Sequence, residues 1–521
     1  MNAARQYRLA FRAHAAALSL LICLSWPATG AEWPQYRGGN HDGISTDRLN
    51  KQWTGTVTNP VWRVPLTNCL GSLTVSGGRV FTQTRRFTNA LDQELCVALN
   101  ATNGAVLWMT PVDRAGYPEA GVGYDDGPRT TPVVSGDSVF VLSSSNRLFR
   151  LNLTNGAVIW ERNLVSLYGG VVIPWQNAAS PVVENGLVFV NANSPTQTLM
   201  ALRVSDGGPA WRSQNDGMTH ATPTLATIHG ARQIIFATQS GLVSLNPTNG
   251  NLLWRASYPF NYGTSIGVSP VVYQDMVFVS GAHSYGMGST CVRVNLSNTT
   301  WSATRLWATN NPASHWMTPV VHDGFLYGQF GIQSFDSANG QLTCIEMRTG
   351  TVKWRTAGFG RGATVLVDDH LVSLTERGDL VLVKPNTNAY TELARFRAIP
   401  NYHDFTNKCW NQPAVCDGRL FIRSTAFVAS FDLSIPALKM DGLTFGGPGT
   451  FDLFIRTMNG APVASNRLTN IEVRATADIG LAFTQWNRLT NSLVLTGGVA
   501  RMQNISTGNE TQRFFMVSEP K

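Results

Sequence analysis

"LNLTNGAVIW" (residues 151–160) is an apolar strand, a polar Thr-Asn-Gly break and a second apolar strand ending on Trp160. The break supplies the positive φ of a tight hairpin, and the flanks alternate as half-buried strands do. The same string recurs along the chain. "VALNATNGAVLW" (97–108), "LMALRVSDGGPAW" (199–211), "LVSLNPTNGNLLW" (242–254) and "CIEMRTGTVKW" (344–354) each end on tryptophan. "VRVNLSNTTWSATRLW" (292–307) is a longer variant, and "LVLVKPNTNAYTELARF" (380–396) and "FVASFDLSIP" (427–436) are degenerate ones.

A second pattern keeps step with the first: a small or polar residue, proline, two apolar residues, a turn and an apolar strand. It reads "TTPVVSGDSVFVL" (130–142), "ASPVVENGLVFV" (179–190), "ATPTLATIHGARQIIF" (221–236), "VSPVVYQDMVFV" (268–279), "MTPVVHDGFLYG" (317–328) and "NQPAVCDGRLFI" (411–422). "GSLTVSGGRVFT" (71–82) and "GATVLVDDHLVSL" (362–374) keep it without proline. Together the patterns define a unit of four short strands, repeating every ~40–60 residues as propeller blades do. Eight units predict an all-β, eight-bladed β-propeller. The eighth lacks its tryptophan strand, while an orphan one, "NPVWRVPL" (59–66), precedes the first. That strand is expected to complete the last blade and remove the exposed edges of an open array. The tryptophans are read as packing between blades, each indole N–H reaching a nearby carbonyl.

Composition narrows the function. Residues 1–31 carry Arg5, Arg8 and Arg12 without an acid, then the apolar run "AAALSLLICLSW" (15–26) and small residues at Ala28, Gly30 and Ala31. This is the pattern of a secretory signal peptide cleaved near residue 30 or 31, and it places the protein in the periplasm or outside the cell. No later run reaches the ~20 apolar residues of a spanning helix. The net charge of +8 falls by three with the leader arginines, and the remaining basic residues are scattered, which excludes a nucleic-acid footprint. Six cysteines remain and are read as structural disulfides or free buried thiols, with Cys409 and Cys416 the most local candidate pair. The domain reading is leader 1–31, lead segment 32–58, propeller 59–436, and a small β-sandwich-like module over 437–521. The module rests on the alternation in "DLFIRT" (452–457), "IEVRATA" (471–477) and "SLVLTGG" (492–498). The chain is expected to act as a monomer.

The repeat A-x-[ND]-x-x-[TN]-G-x-x-x-W, as in residues 98–108, resembles the pyrroloquinoline-quinone-type (PQQ-like) propeller repeat. That family includes quinoprotein alcohol dehydrogenases and the propeller lipoprotein of the outer-membrane barrel-assembly machinery. "WPQYRGGNHDGIS" (33–45) is similar to the opening of exported propellers of this type. The resemblance implies, for a dehydrogenase, PQQ and a calcium ion held by Glu and Asn oxygens, an Asp base, a stacked Trp and often an adjacent-cysteine ring. The adjacent cysteines are absent here, and no full Glu/Asn/Asp set aligns.

Ligands of propellers meet the loops that lead into the inner strands. Those positions hold Tyr124, Asp125, Asp126 and Arg129; Trp175, Gln176 and Asn177; His220; Tyr262; His315 and Trp316; Arg361; and Tyr402, His403, Asp404, Lys408 and Trp410. Aromatic and charged side chains recur where a plain turn needs Gly, Asn or Ser. Such a funnel suits a small polar ligand. His220, His315 and His403 fall at comparable places but are read as structural, with no metal. "GTSIG" (263–267) fits the nucleophile-elbow string yet leads into a strand, so it is dismissed. The sequence therefore points to a binding or interaction scaffold, with a PQQ-dependent alcohol or sugar dehydrogenase and a barrel-assembly partner as alternatives.

Overall fold

The computed structural model describes residues 9–12, 32–88, 91–114, 127–258, 266–281, 288–331, 340–403, 406–508 and 512–519. It divides into two compact units, residues 30–434 and residues 435–521 with 1–29.

Within residues 30–434, the described residues form eight sheets of four antiparallel strands, one of which carries a fifth strand. The second sheet is typical, with strands Val133–Ser135, Ser138–Leu142, Arg147–Asn152 and Val158–Asn163 in spatial order. The opening hairpin is its outer strand pair, with Arg150 opposite Trp160. The eighth sheet comprises Ala414–Cys416, Arg419–Arg423 and Phe427–Asp432, and its fourth strand is the N-terminal Trp62–Pro65, with Trp62 opposite Ser430. The orphan strand thus completes the last sheet, as expected.

The tryptophans behave as wedges. Trp62, Trp108, Trp160, Trp211, Trp307 and Trp354 each donate their indole N–H to a backbone carbonyl of the next sheet, at 2.6 to 3.2 Å. The ring of each lies on the hairpin of that sheet. A Cβ built on Gly156, whose φ is +72°, would sit 2.6 Å from the Trp108 ring. The repeat's glycine is therefore demanded twice, by the turn and by the previous tryptophan. Gly156→Ala is expected to cost about 2–4 kcal/mol in urea denaturation, from a left-handed backbone plus overpacking. Trp254 is the exception and donates to Gln233 Oε1 at 2.7 Å. The next hairpin, between Ser289–Ser297 and Thr300–Thr309, is the longer variant without a Thr-Asn-Gly break.

The residue before the repeat's proline also has a physical role. Neighbouring inner strands splay too far for a backbone ladder, so side-chain hydroxyls bridge them. Ser72 N–H donates to Thr131 Oγ1, Thr131 N–H to Ser180 Oγ, and Ser180 N–H to Thr222 Oγ1, each at 2.9 Å. Ser269 N–H donates to Thr318 Oγ1 at 3.1 Å, and Gln412 N–H to Ser72 Oγ at 2.9 Å closes the eighth sheet onto the first. Thr131→Val keeps the shape but leaves the buried Ser72 N–H unpaired, with an expected loss of about 1–3 kcal/mol in the same assay.

The lead segment packs against the inner strands. Trp33 bridges Val75, and Ile44–Ser45 runs parallel to Ala363–Val367 as the fifth strand of the seventh sheet. Arg37 is 1% exposed and donates to the carbonyls of Thr318, Pro319, His41 and Asp42.

In the second unit, Leu438–Phe445, Thr450–Thr457, Val499–Ser506 and Leu493–Thr496 form one sheet. Gln512–Ser518, Glu472–Thr476 and Asn487–Arg488 form another, which also includes Leu9–Arg12 from within the segment read as a leader. Leu453, Ile455, Val473, Trp486 and Phe515 belong to one core shared by both sheets.

The disulfide expectation needs correction. Cys409 and Cys416 are separate, buried thiols, as are the other four described cysteines. Cys416 ends the inner strand Ala414–Cys416 beside Asp417, whereas Cys409 lies in the loop that enters it, near Asn407. Burial raises both thiol pKa values, so neither is a ready nucleophile.

Candidate functional site

In each antiparallel sheet, the loop entering the first strand and the turn between the second and third strands lie at the same end. The candidate residues come from these loops. Trp316, entering the sixth sheet, packs on Trp410, entering the eighth, with ring centroids 5.0 Å apart. His315 lies 4.6 Å from the Trp316 ring, and Arg361 and Lys408 sit over Trp410 at 4.7 and 5.0 Å. Five of the sequence candidates thus form one continuous aromatic and cationic stack. Its cations are buried, at 8% and 7% exposure, while the indoles of Trp316 and Trp410 are partly open.

The residue that holds the stack was not legible in the sequence. Glu376, 2% exposed, lies in the turn between His370–Leu374 and Asp379–Val383. Its carboxylate pairs with Arg361 Nε at 2.9 Å and accepts from Arg361 N–H and Trp410 Nε1, each at 3.2 Å. A glutamate in a turn where other units carry Ser, Thr or Gln was the available signal.

His220 enters the funnel from the fourth sheet and pairs through Nε2 with the carbonyl of Gln176 at 2.7 Å. Burial, then the charge of Arg129 and the nearness of His315, push its pKa down to about 3. These four residues converge on one another. Trp175 and Gln176 both adopt left-handed backbone, at φ +65° and +62°. Asn177 is structural: its amide bonds Ser143 O and Ala179 O, and its oxygen accepts from Ala179 N–H. His403 bonds Asn407 through backbone in both directions. Asp125 and Tyr262 lie outside the described residues.

Among the described residues, the stack does not present the carboxylate set of a calcium-bound quinone. Among the described residues no three His, Cys, Asp or Glu side chains converge to hold a metal, and the carboxylate at the stack is already engaged by Arg361 and Trp410.

Two buried imidazoles make stability depend on pH. His41 also has its pKa lowered to about 3, by burial and then by Arg232 and Arg37. A histidine in the unfolded chain protonates near 6.5. The stability gained by keeping both rings neutral is complete above that value and is lost as pH falls toward about 3. Urea midpoints are expected to drop steeply across this window in wild type, and less steeply in His41→Gln.

The chain matches the family model described as outer membrane protein assembly factor BamB over residues 53–172 and 92–356. It is 24% identical over 263 residues to a tetrathionate hydrolase of Acidithiobacillus ferrooxidans, covering 47% of this chain and spanning about half of that protein, 48%. It is 21% identical to the assembly factor BamB of Moranella endobia, covering 65% of this chain and 78% of that one. The quinohemoprotein alcohol dehydrogenase of Comamonas testosteroni superposes with a TM-score of 0.51 at 12% identity, over 80% of this chain and 82% of that one. That likeness is one of fold alone. Among the described residues, no helix is long and apolar enough to cross a membrane.

Proposed function

This chain belongs to the PQQ-like propeller-repeat family described as outer membrane protein assembly factor BamB, and on that premise we propose that it is an exported binding scaffold whose funnel holds a small polar ligand. The stack of His315, Trp316, Trp410, Arg361 and Lys408, locked by Glu376, carries the reading. A purely structural plug has no need of buried cations on a partly open indole pair. A fixed aromatic floor beside charged groups supplies orientation at little ordering cost. The scaffold role is supported by the relatives named as assembly factors.

Trp410→Ala is expected to weaken ligand binding by at least about tenfold, read as quenching of intrinsic fluorescence. Unchanged binding would remove the stack from the site. Addition of PQQ and calcium is expected to give no alcohol-dependent dye reduction; turnover requiring both would replace the scaffold reading with the dehydrogenase one. Export predicts that the protein recovered from its native envelope starts near residue 31, as N-terminal sequencing will show.

A further inference from the structure

The segment over residues 33–45 takes no part in the aromatic stack, and its bonds run across the ring. The first strand of each sheet pairs with the second on one side, so its other edge carries unspent backbone N–H and C=O groups. One repeat position recurs along that edge. Val75, Val134 and Leu366 face Val80, Val139 and Leu371 across the first hairpins of the first, second and seventh sheets, and so hold the same place in each. Their N–H groups donate to the carbonyls of Trp33, Pro34 and Gly43, at 2.8, 2.7 and 2.9 Å. A single segment thus spends the free edge of three inner strands.

The order of the sheets puts these contacts on opposite sides. Hydroxyl bridges join the first four sheets in turn, the fifth to the sixth and the eighth to the first. Thr224 Oγ1 donates to Pro270 O at 2.8 Å between the fourth and fifth, Gln329 Nε2 to Thr364 Oγ1 at 3.0 Å between the sixth and seventh, and Gln412 Nε2 to Thr364 O at 3.4 Å between the eighth and seventh. In a ring closed in this order the second sheet stands opposite the sixth. Pro34 bonds the second, and three residues later Arg37 donates to the carbonyls of Thr318 and Pro319 at the entry to the sixth, at 3.0 and 2.9 Å. The turn between them is tied to itself, by Gly43 N–H on Arg37 O at 2.9 Å and by Gln35 Nε2 beside His41 Nε2 at 3.0 Å. Trp33, Gln35, Arg37 and His41 are buried, and within the segment Gly39 and Asn40 alone are exposed. The flanks fix which end of the channel is crossed. Glu32 accepts from Ser76 Oγ and Gly77 N–H, and Asp47 from Gly418 N–H, all in turns from a first strand to a second and away from the loops that carry Trp316 and Trp410. We propose that residues 33–45 are a strap threaded across the channel, closing it at this end and leaving the end with the stack as the way in.

The test is amide hydrogen exchange of the full mature chain, read by mass spectrometry at residue resolution, in wild type and in Arg37→Met, which keeps the stem and loses the donors. Val75, Val134 and Leu366 are expected to exchange at least about tenfold faster in the variant, although Arg37 bonds none of them, because the strap lets go as a unit. Val183 and Val272 hold the same repeat position in the third and fifth sheets without a backbone bond to the strap, and should keep their wild-type rates. Gly43→Val, whose Cβ would meet Val320 Cγ1 at 2.9 Å on a backbone of φ +76°, is expected to give the same pattern. Thermal melting checks that both variants are folded. Acceleration confined to Leu366 would place the segment along the sixth and seventh sheets and overturn the crossing. Equal acceleration at Val183 and Val272, or none anywhere, would overturn the strap. Closure has its own readout: Val320→Cys is expected to resist a maleimide alone and to react when combined with Arg37→Met, and equal labelling in the two would show that the segment does not close the channel.

Discussion

Glu376→Ala is expected to destabilise the protein by about 3–5 kcal/mol, among the largest effects of any single surface-remote substitution in this chain. The carboxylate and the guanidinium of Arg361 are both withdrawn from solvent, with side chains 3% and 9% exposed, and sit 2.9 Å apart. Removing the acid takes a buried ion-pair partner from Arg361, and it also frees the Trp410 indole N–H and the Arg361 backbone N–H, which share the same two oxygens. Glu376→Gln keeps the volume and one acceptor, so its loss should be smaller. Urea denaturation measures both. A cost below about 1 kcal/mol for the alanine variant would mean that the pair behaves as an exposed one.

The second large effect concerns closure. Trp62→Ala is expected to cost about 3–5 kcal/mol through the lost ring and the cavity it leaves. Trp62 packs 6.1 Å from Phe421, donates to Ala101 O at 2.9 Å and lies on Gly104, whose built Cβ would be 2.7 Å from the ring. It thereby ties the eighth sheet to the first. The equivalent change at Trp160 acts between two sheets that are already neighbours in the chain. Loosening should therefore appear, in Trp62→Ala and not in Trp160→Ala, as faster amide exchange in Phe427–Asp432, the strand that Trp62–Pro65 covers. Equal exchange in the two variants would show that the N-terminal strand is not a closing element.

The ring was legible because its residues answer one demand many times over. Most of the terminal tryptophans and several of the hydroxyls before proline meet the same neighbour one sheet on, so phase survives degenerate copies such as residues 380–396. Trp254 departs from the rule and bonds Gln233 within its own sheet. The site was legible only in part. His315, Trp316, Arg361, Lys408 and Trp410 stood out because aromatic and charged residues are out of place in plain turns. Asn177 stood out for the same reason and proved to brace its own loop. Glu376 went unseen because its role depends on Arg361 and Trp410 arriving from other turns and sheets. Of the two readings open for the cysteines, the structure has the free buried thiols, Cys409 and Cys416 included.

The central claim is that repeated residues build the ring and the irregular loops build the binding site. The direct measurement is the ligand affinity, read by fluorescence, of Trp410→Ala beside that of Trp211→Phe, a change of one repeat tryptophan. Binding should fall at least about tenfold in the first and hold within about twofold in the second. An equal loss in both, or in neither, would contradict the division.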